Sequence, residues 1–293
     1  VVWGEQAVAV VVLAYRSPPG VLEAAVDALL SEPGPRPIVV DNGGGASRRL
    51  TDRRVDVVIS DRNGGYGAGM NIGMRRAFAG GATHVALFND DTVVEPGWLD
   101  AAMVGFDAAT VGAVQPLLLD ADGVHVSSAG VVVDPSGQGS DAGRGDRAES
   151  IGDAVRPIGL FTGGAVVMSR DFVDAVGVFD ERFFLYYEDV ELGRRGRRAG
   201  WSYRLAGASR VRHLGSATTA QLGDRARYLQ ERNRLWSTAM HGDGGEMARA
   251  VWLSVRRLVR RPYGTHVRAF VVGLGGAVVR LGRRVRGRRL VMR

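Results

Sequence analysis

Cysteine is absent from this 293-residue chain, which excludes disulfides and thiolate metal sites alike. Lysine is absent too: all 38 basic residues are arginine, which, beside so much Ala, Gly and Val, reads as coding bias more than as chemistry. A bilayer-spanning run is missing from the C-terminal third, where the longest apolar stretch, 270–279, has ten residues. No secretory leader is expected, since the first residues run straight into a strand-like segment. Negative charge is missing from the end of the chain, where Met247 to Arg293 holds 13 arginines and no acid. The remainder holds 25 arginines against 31 acidic residues, so a mildly acidic body carries a strongly basic tail. Such a tail fits a polyanionic partner: membrane phospholipid, nucleic acid or a phosphorylated lipid. The length suits one large α/β domain with an appendage.

What is present begins with Ala7 to Ala14, a continuous apolar run of the kind buried on both faces of a parallel sheet. A helical pattern through Val21, Leu22, Ala25, Val26, Leu29 and Leu30 stops at Pro33-Gly34. Strands are expected at 37–42, 55–59 and 83–88, with a helix over 69–79. This alternation predicts a mostly parallel, doubly wound α/β sheet with ligand groups at the strand C-termini. Further strands are expected at 111–116 and 124–133. The stretch 134–153, rich in Gly, Ser and Asp, reads as a mobile loop able to serve as a lid. Helices over 188–199 (Gly200 as C-cap), 226–241, 248–261 and 265–284 complete the chain.

Glu188-Asp189 follow five bulky residues, Phe183-Phe184-Leu185-Tyr186-Tyr187. An isolated buried charge is costly, so two adjacent carboxylates there are paired, metal-bound or used for chemistry. An apolar surround also raises a carboxylate's pKa toward the range of a general base. The alternative is an acidic first turn that complements the dipole of the next helix. Asn89-Asp90-Asp91 lies just past the strand at 83–88, where a sheet crevice opens. Two acids there suit a hard divalent cation that keeps positions for phosphate oxygens, or an Asx-type turn. Tyr15 and Asp41, at the ends of the first two strands, can stack on a base and accept from it; such residues also serve structure. Asn63-Gly64-Gly65-Tyr66-Gly67-Ala68-Gly69-Met70-Asn71 places glycines where a loop enters a helix, with N–H donors for phosphate. It is neither a Walker loop nor a dinucleotide fingerprint.

In this order, four blocks resemble the inverting family 2 glycosyltransferases of GT-A fold: Val40-Asp41-Asn42, Asn63 to Gly67 with Asn71 and Gly73, Asn89-Asp90-Asp91, and Phe179-Asp180-Glu181 through Trp201. The rhamnosyltransferase-like members acting on lipid-linked glycans are the most similar. The likeness spans 8–213, and Tyr187 to Leu192, Arg195 and Ala199-Gly200-Trp201 match residue by residue. It implies a catalytic domain over 1–218 and a basic helical region over 219–293. It implies that Tyr15, Asp41, Asn63, Gly67, Asn71 and Asp90 bind the nucleotide. Asp91 would hold Mg²⁺ or Mn²⁺ against the diphosphate. Glu188 and Asp189 would be the catalytic carboxylates, Asp189 the general base. His213 falls where many members place an extra metal ligand, although a lone strand-end His is also commonly structural. The sequence departs from the family pattern at Asn89, in place of the first acid, and at Ala14, in place of a hydroxyl residue; Glu191 for Asp is mild.

The resemblance implies one inverting displacement served by a single base, unlike the two-carboxylate glycosidase scheme. The donor implied is dTDP-rhamnose, with UDP-galactose or another UDP-hexose next. The acceptor is a glycan or polyprenyl-diphosphate-linked hydroxyl in cell-envelope polysaccharide synthesis at the cytoplasmic membrane face. A sugar-phosphate nucleotidyltransferase would carry a basic Gly-rich loop after the first strand, for which Arg16-Ser17-Pro18-Pro19-Gly20 is a poor substitute. A non-catalytic membrane or nucleic-acid adaptor is favoured by the tail alone, and no base-reading motif makes nucleic acid an expected partner. In the tail, Trp252, Leu253, Val255, Leu258 and Val259 form a stripe beside Arg256, Arg257, Arg260 and Arg261. After Pro262, Phe270 to Leu281 offers a second surface flanked by Arg268, Arg280, Arg283 and Arg284. These helices either lie on an anionic membrane or pack on the domain or in a dimer.

Overall fold

Apolar residues at both parities leave β1 (Val8–Ala14) no solvent face, and in the computed structural model it lies deep within a ten-stranded sheet. The structure describes the backbone at 7–215, 217–260 and 264–291, and side-chain surroundings at 7–215, 222–260 and 264–279. Val11 and Leu13 enter one core layer, and Val10, Val12 and Ala14 the other. β2 (Ile38–Asp41) and β4 (His84–Asn89) flank β1 in parallel, and β3 (Asp56–Ile59) extends the parallel half. Beyond β4 the sheet is mixed. β11 (Ala165–Ser169) runs antiparallel between β4 and β6 (Val111–Leu119). β12 (Ser202–His213) is parallel to β6, and β10 (Val155–Ile158) closes that edge. β5 (Thr92–Val94) joins β12, and β7 (Val126–Ser128) joins β6. β6 continues through Pro116 because the proline sits where β12 shifts register between Ala206 and Arg210.

Helices cover both faces. Leu22, Val26 and Leu29 of α1 (Val21–Ser31) pack in one layer with Trp98 and Leu99. The short α2 (Ala46–Arg49) precedes α3 (Tyr66–Ala79), which lies on the opposite face with α6 (Arg170–Val176) and α7 (Glu188–Arg198); α4 (Trp98–Met103) supplies the indole. α3 starts three residues earlier than expected, released by Gly65 at φ 90°. A Cβ at Gly69 would stand 2.3 Å from Leu13 Cδ1, and one at Gly73 2.2 Å from Val11 Cγ1. The glycines therefore let the helix axis approach β1, at the cost of helix propensity.

Two local expectations are corrected. The single strand at 124–133 is two, β7 and β8 (Val131–Val133), parted at Gly130 with φ 115°. The expected loop at 134–153 contains β9 (Gly139–Asp141), paired with β8, and the short α5 (Ala148–Ile151). Asp134 Oδ1 closes the hairpin by accepting from Ser136 N and Gln138 N at 2.8 and 3.0 Å. A Gly-Ser-Asp strand has no apolar alternation to announce it. Before α7, a 3₁₀ turn at Glu181–Phe183 leads into Phe184, Tyr186 and Tyr187, with φ of 66°, 68° and 70°.

The chain ends in α8 (Ala217–His241, bent at Gly223), α9 (Gly244–Arg260) and α10 (Gly264–Val291). Side chains meet across the expected boundary at 218/219. Asn233 and Leu235 of α8 are fully buried, His241 Nε2 lies 3.2 Å from Glu191 Oε1 of α7, and Arg194 pairs with Glu246 of α9 at 3.2 Å. Ala269, Gly273 and Ala277 of α10 form a buried small-residue seam, where a Cβ at Gly273 would meet Leu235 Cδ1 at 2.7 Å. Packing on the domain thus accounts for one face of the tail. Trp252, Val255, Val259, Val271 and Val278 point outward, while Leu253 and Leu258 are half-buried. Arg261 and Pro262, and the side chains of Arg280, Leu281, Arg283 and Arg284, lie outside the described residues. Among the described residues no helix is long and apolar enough to cross a membrane.

Gly73→Ala tests the close approach of α3. It should lower the unfolding free energy by about 1–3 kcal/mol in urea titrations, as overpacking does, despite Ala's better helix propensity.

Candidate active site

A cleft of about 860 Å³ opens beyond the end of β4 and is lined by Asn89, Gly163, Glu188, Asp189 and His213, among others. β5 pairs with β12 so that His213 lies opposite Thr92, and Leu214 N donates to Asp91 O at 2.8 Å. This register brings Asp91 Oδ1 to 3.1 Å from His213 Nε2. The two are not aligned for a hydrogen bond, and both atoms are buried with no hydrogen-bond partner. Such orphaned polar atoms call for a third group. A divalent cation held between the carboxylate and the imidazole would satisfy both, so the donors fit the implied metal. Among the described residues no cluster of three or more His, Cys, Asp or Glu forms a metal site, so other positions would fall to ligand or solvent oxygens. Burial works to lower the His213 pKa, and the Asp91 carboxylate more than reverses it.

The expected nucleotide residues divide. Asp90 Oδ2 accepts from Tyr15 N at 2.9 Å and from Ser17 Oγ, tying the end of β4 to that of β1. Burial raises its pKa, against the Ser17 and Tyr15 bonds. Tyr15 is half-buried, with the Arg16 guanidinium 5.3 Å from its ring centre. Asp41 ends β2, but its carboxylate already accepts from the backbone N–H groups of Gly43, Gly44, Gly45 and Ser47 at 2.9–3.2 Å. Burial pushes its pKa up, yet those donors hold it below the usual value. Asn63 Oδ1 caps its own turn at Gly65 N, 2.9 Å, and accepts from Asn42 Nδ2 at 3.1 Å. Asn71 is completely buried, its amide donating to Phe179 O and Glu181 Oε1 at 3.0 Å and accepting from Phe179 N at 3.1 Å. Gly67 is buried against Phe179, where a Cβ would stand 3.0 Å from the phenylalanine Cβ. Both residues pack α3 on the 179–181 segment, and none of the six expected nucleotide residues lines this cleft.

Glu188 and Asp189 form the first turn of α7 and line the cleft. Asp189 Oδ2 accepts from Gly163 N at 2.8 Å and Oδ1 from Val190 N at 2.7 Å. Burial raises its pKa, and these two amides offset only part of the shift. Glu188 is 5% exposed, and its Oε2 has no hydrogen-bond partner. Burial, and then the Asp189 charge, push its pKa well up. The left-handed residues just before them cost on the order of 1–3 kcal/mol each, a strain that clusters at functional sites.

Sequence reasoning missed Thr162-Gly163-Gly164. Gly163 O accepts from Tyr66 OH, and Gly164 O from Asn89 N at 3.2 Å, so this turn joins the two acidic clusters. A Gly pair ahead of a buried strand was the available signal. It also missed Tyr187, whose hydroxyl donates to Gly137 O at 3.2 Å and accepts from Gly139 N at 3.1 Å, holding the hairpin at the cleft wall.

Residues 5–239 match the family model described as glycosyltransferase like family 2. A 211-residue stretch is 31% identical to the N-acetylglucosaminyl-diphospho-decaprenol L-rhamnosyltransferase of Mycobacterium tuberculosis, covering 63% of this chain and 68% of that protein. An uncharacterized protein of Mycobacterium bovis is 30% identical over 198 residues, 66% of this chain and 69% of the relative. Among solved structures, GalNAc-T7 with UDP, GalNAc and Mn²⁺ superposes with a TM-score of 0.66 at 15% identity, over 90% of this chain and 53% of that one. The mannosyltransferase PcManGT from Pyrobaculum calidifontis, in complex with GDP-Man and Mn²⁺, gives 0.56 at 14% identity, over 94% and 86%. At such identities the structures speak for the GT-A fold alone, and the mixed sheet with its parallel β1–β4 half agrees with it.

The raised Glu188 pKa has a sign that can be checked. The folded state holds this proton more tightly than the unfolded chain, so burial is least costly below the ordinary value of 4.5. Unfolding free energy should fall as pH rises through the folded-state value. Urea titrations across that range should show a shallower fall for Glu188→Gln than for the wild type.

Proposed function

The chain belongs to glycosyltransferase family 2, and from that premise we propose an inverting, cation-dependent transfer of rhamnose from dTDP-rhamnose to a hydroxyl of a polyprenyl-diphosphate-linked glycan. A UDP-hexose is the next donor to test. The observation that carries this reading is Asp189, a carboxylate of raised pKa held by two backbone amides in the cleft shared with His213. The name of the mycobacterial relative supports the choice of donor sugar and lipid-diphosphate acceptor. In this scheme Tyr15 stacks on the base, Asp41 and Asn63 shape the neighbouring turns, and Asp90 fixes the end of β1 beneath the nucleotide. Asp91 and His213 would hold Mg²⁺ or Mn²⁺, which neutralises charge on the leaving diphosphate. Asp189 takes the acceptor hydroxyl proton as that oxygen bonds to the anomeric carbon and the bond from that carbon to the diphosphate oxygen breaks. The proton ends on Asp189, and the nucleoside diphosphate departs with the bonding pair. Glu188, whose pKa burial and then the Asp189 charge push up, lines the cleft beside it.

Transfer assays and nucleotide titrations test this together. Asp189→Asn should lower kcat by about 10²–10⁴-fold and leave dTDP affinity in Mn²⁺ unchanged. Asp91→Ala should abolish the difference in dTDP affinity between Mn²⁺ and chelator. Equal wild-type affinity in both would remove the cation from the scheme.

The same reading places the enzyme on the cytoplasmic membrane face, where such an acceptor resides. Trp252, Val259 and Val271 are 61, 79 and 62% exposed. Arg256, Arg260 and Arg268 are exposed beside them, with no acid from 247 onward. Apolar burial joined to this charge suits anionic phospholipid, each arginine contributing about 1 kcal/mol near the surface. Full-length protein should float with phosphatidylglycerol vesicles at low salt. Replacing Trp252, Val259, Arg256 and Arg260 by Ser should leave it at the bottom of the gradient, and a wild type that does not float removes the membrane from the proposal.

A further inference from the structure

We propose that Asn233, in α8, is the positioning residue that holds the general-base segment in its strained form. The proposal rests on the reading of Asp189 as base, although its structural part stands apart from it. Three of the five residues at 183–187 are non-glycine residues in left-handed conformation, which persists only where the surroundings over-determine it. Most of the hold comes from outside the segment. Asn233 Nδ2 lies 2.9 Å from Phe183 O, 2.9 Å from Leu185 O and 2.7 Å from Tyr186 O. The two remaining carbonyls of that run are met as well, Phe184 O by Tyr66 N at 2.7 Å and Tyr187 O by Glu191 N at 2.8 Å.

The donor is itself fixed. Asn233 is fully buried, and its Oδ1 accepts from Arg232 Nε at 2.8 Å. Arg232 also donates to Phe183 O at 2.8 Å, its guanidinium lying 4.3 Å from the Trp236 ring centre. Asn suits this place: a short neutral amide sends both hydrogens toward converging carbonyls while its oxygen answers the arginine. Asp would turn an acceptor on three acceptors. Asn233 touches no reacting atom in this scheme. It acts through the backbone two residues ahead of Glu188-Asp189, where a displacement of about 1 Å costs on the order of 10²-fold in rate.

Asn233→Asp and Asn233→Gln in the full chain separate positioning from general stability. The nucleotide-side residues sit on β1, β2 and β4, away from α8. In Asn233→Asp, amide hydrogen exchange at 184–190 should rise about tenfold or more, and kcat should fall on the order of 10²-fold. The donor KM and the dTDP affinity in Mn²⁺ should stay within about threefold. Asn233→Gln, which keeps the amide, should recover part of both effects, and it supplies the readings should the Asp variant not fold. Unchanged exchange at 184–190, or faster exchange with kcat intact, would overturn the proposal. So would equal loss of kcat and dTDP affinity. A wild type that transfers no sugar from either donor would sink the proposed reaction, while the exchange measurement would still decide whether Asn233 holds the segment.

Discussion

A carboxylate that is to act as base must sit where water is scarce and yet remain free of a cation, because an ion pair would lower its pKa and remove its basicity. In the proposed scheme the first turn of α7 would meet this requirement. Its three acids, within four residues, occupy two electrostatic regimes. Glu191 is 1% exposed and braced by Arg195 at 2.8 Å and His241 at 3.2 Å; burial opposes its charge, and these partners still hold its pKa down. Glu188 and Asp189 precede it in the same turn, and the donors to Asp189 are the neutral amides of Gly163 and Val190. The cationic partners thus fall to Glu191 and the neutral amides to Asp189.

An all-arginine complement makes this division practicable, since a planar guanidinium can answer several acceptors at once. Arg234 is 1% exposed and reaches Glu231, Ser136 O, Ala250 O and Ser254 Oγ. It thereby ties α8 to α9 and both to the tip of the β8–β9 hairpin. Arg249 adds a bond to Pro135 O at 3.2 Å, and Arg257 contacts Gln138 while pairing with Glu231. A buried ion pair is weak evidence for stability, but losing one partner leaves a costly charge behind. The network therefore joins the hairpin at the cleft wall and the helices bearing the exposed Trp252 and Val259 into one body.

The parallel half of the fold was legible because its signal is local: β-branched runs at both parities, bounded by Pro and Gly. The two acidic clusters were legible for a related reason, since carboxylates after apolar runs are costly unless they are used. Roles inside the glycine-rich block were not. Glycine permits the close approach of anything, and nothing in the sequence tells a phosphate from Leu13 or Val11, the actual neighbours of Gly69 and Gly73. Asn71 is ambiguous likewise, because an amide that clamps Phe179 looks, in sequence, like one that meets a ligand. Asn233 was invisible for want of locality, its acceptors lying 47–50 residues away.

The departures at Asn89 and Ala14 bear on whether the site is competent. Asn89 contributes through its main chain: its N–H donates to Gly164 O at 3.2 Å, and its carbonyl accepts from Thr92 Oγ1 at 2.7 Å. The turn that carries Asp91 to His213 is therefore built without the first acid of the motif. Ala14 is 1% exposed within the α1-side core, where a hydroxyl would need a partner of its own. The next residue is instead located by Asp90, which accepts from Tyr15 N. Both substitutions thus fall where backbone or neighbouring side chains already do the structural work, and neither disturbs Asp91, His213 or Asp189.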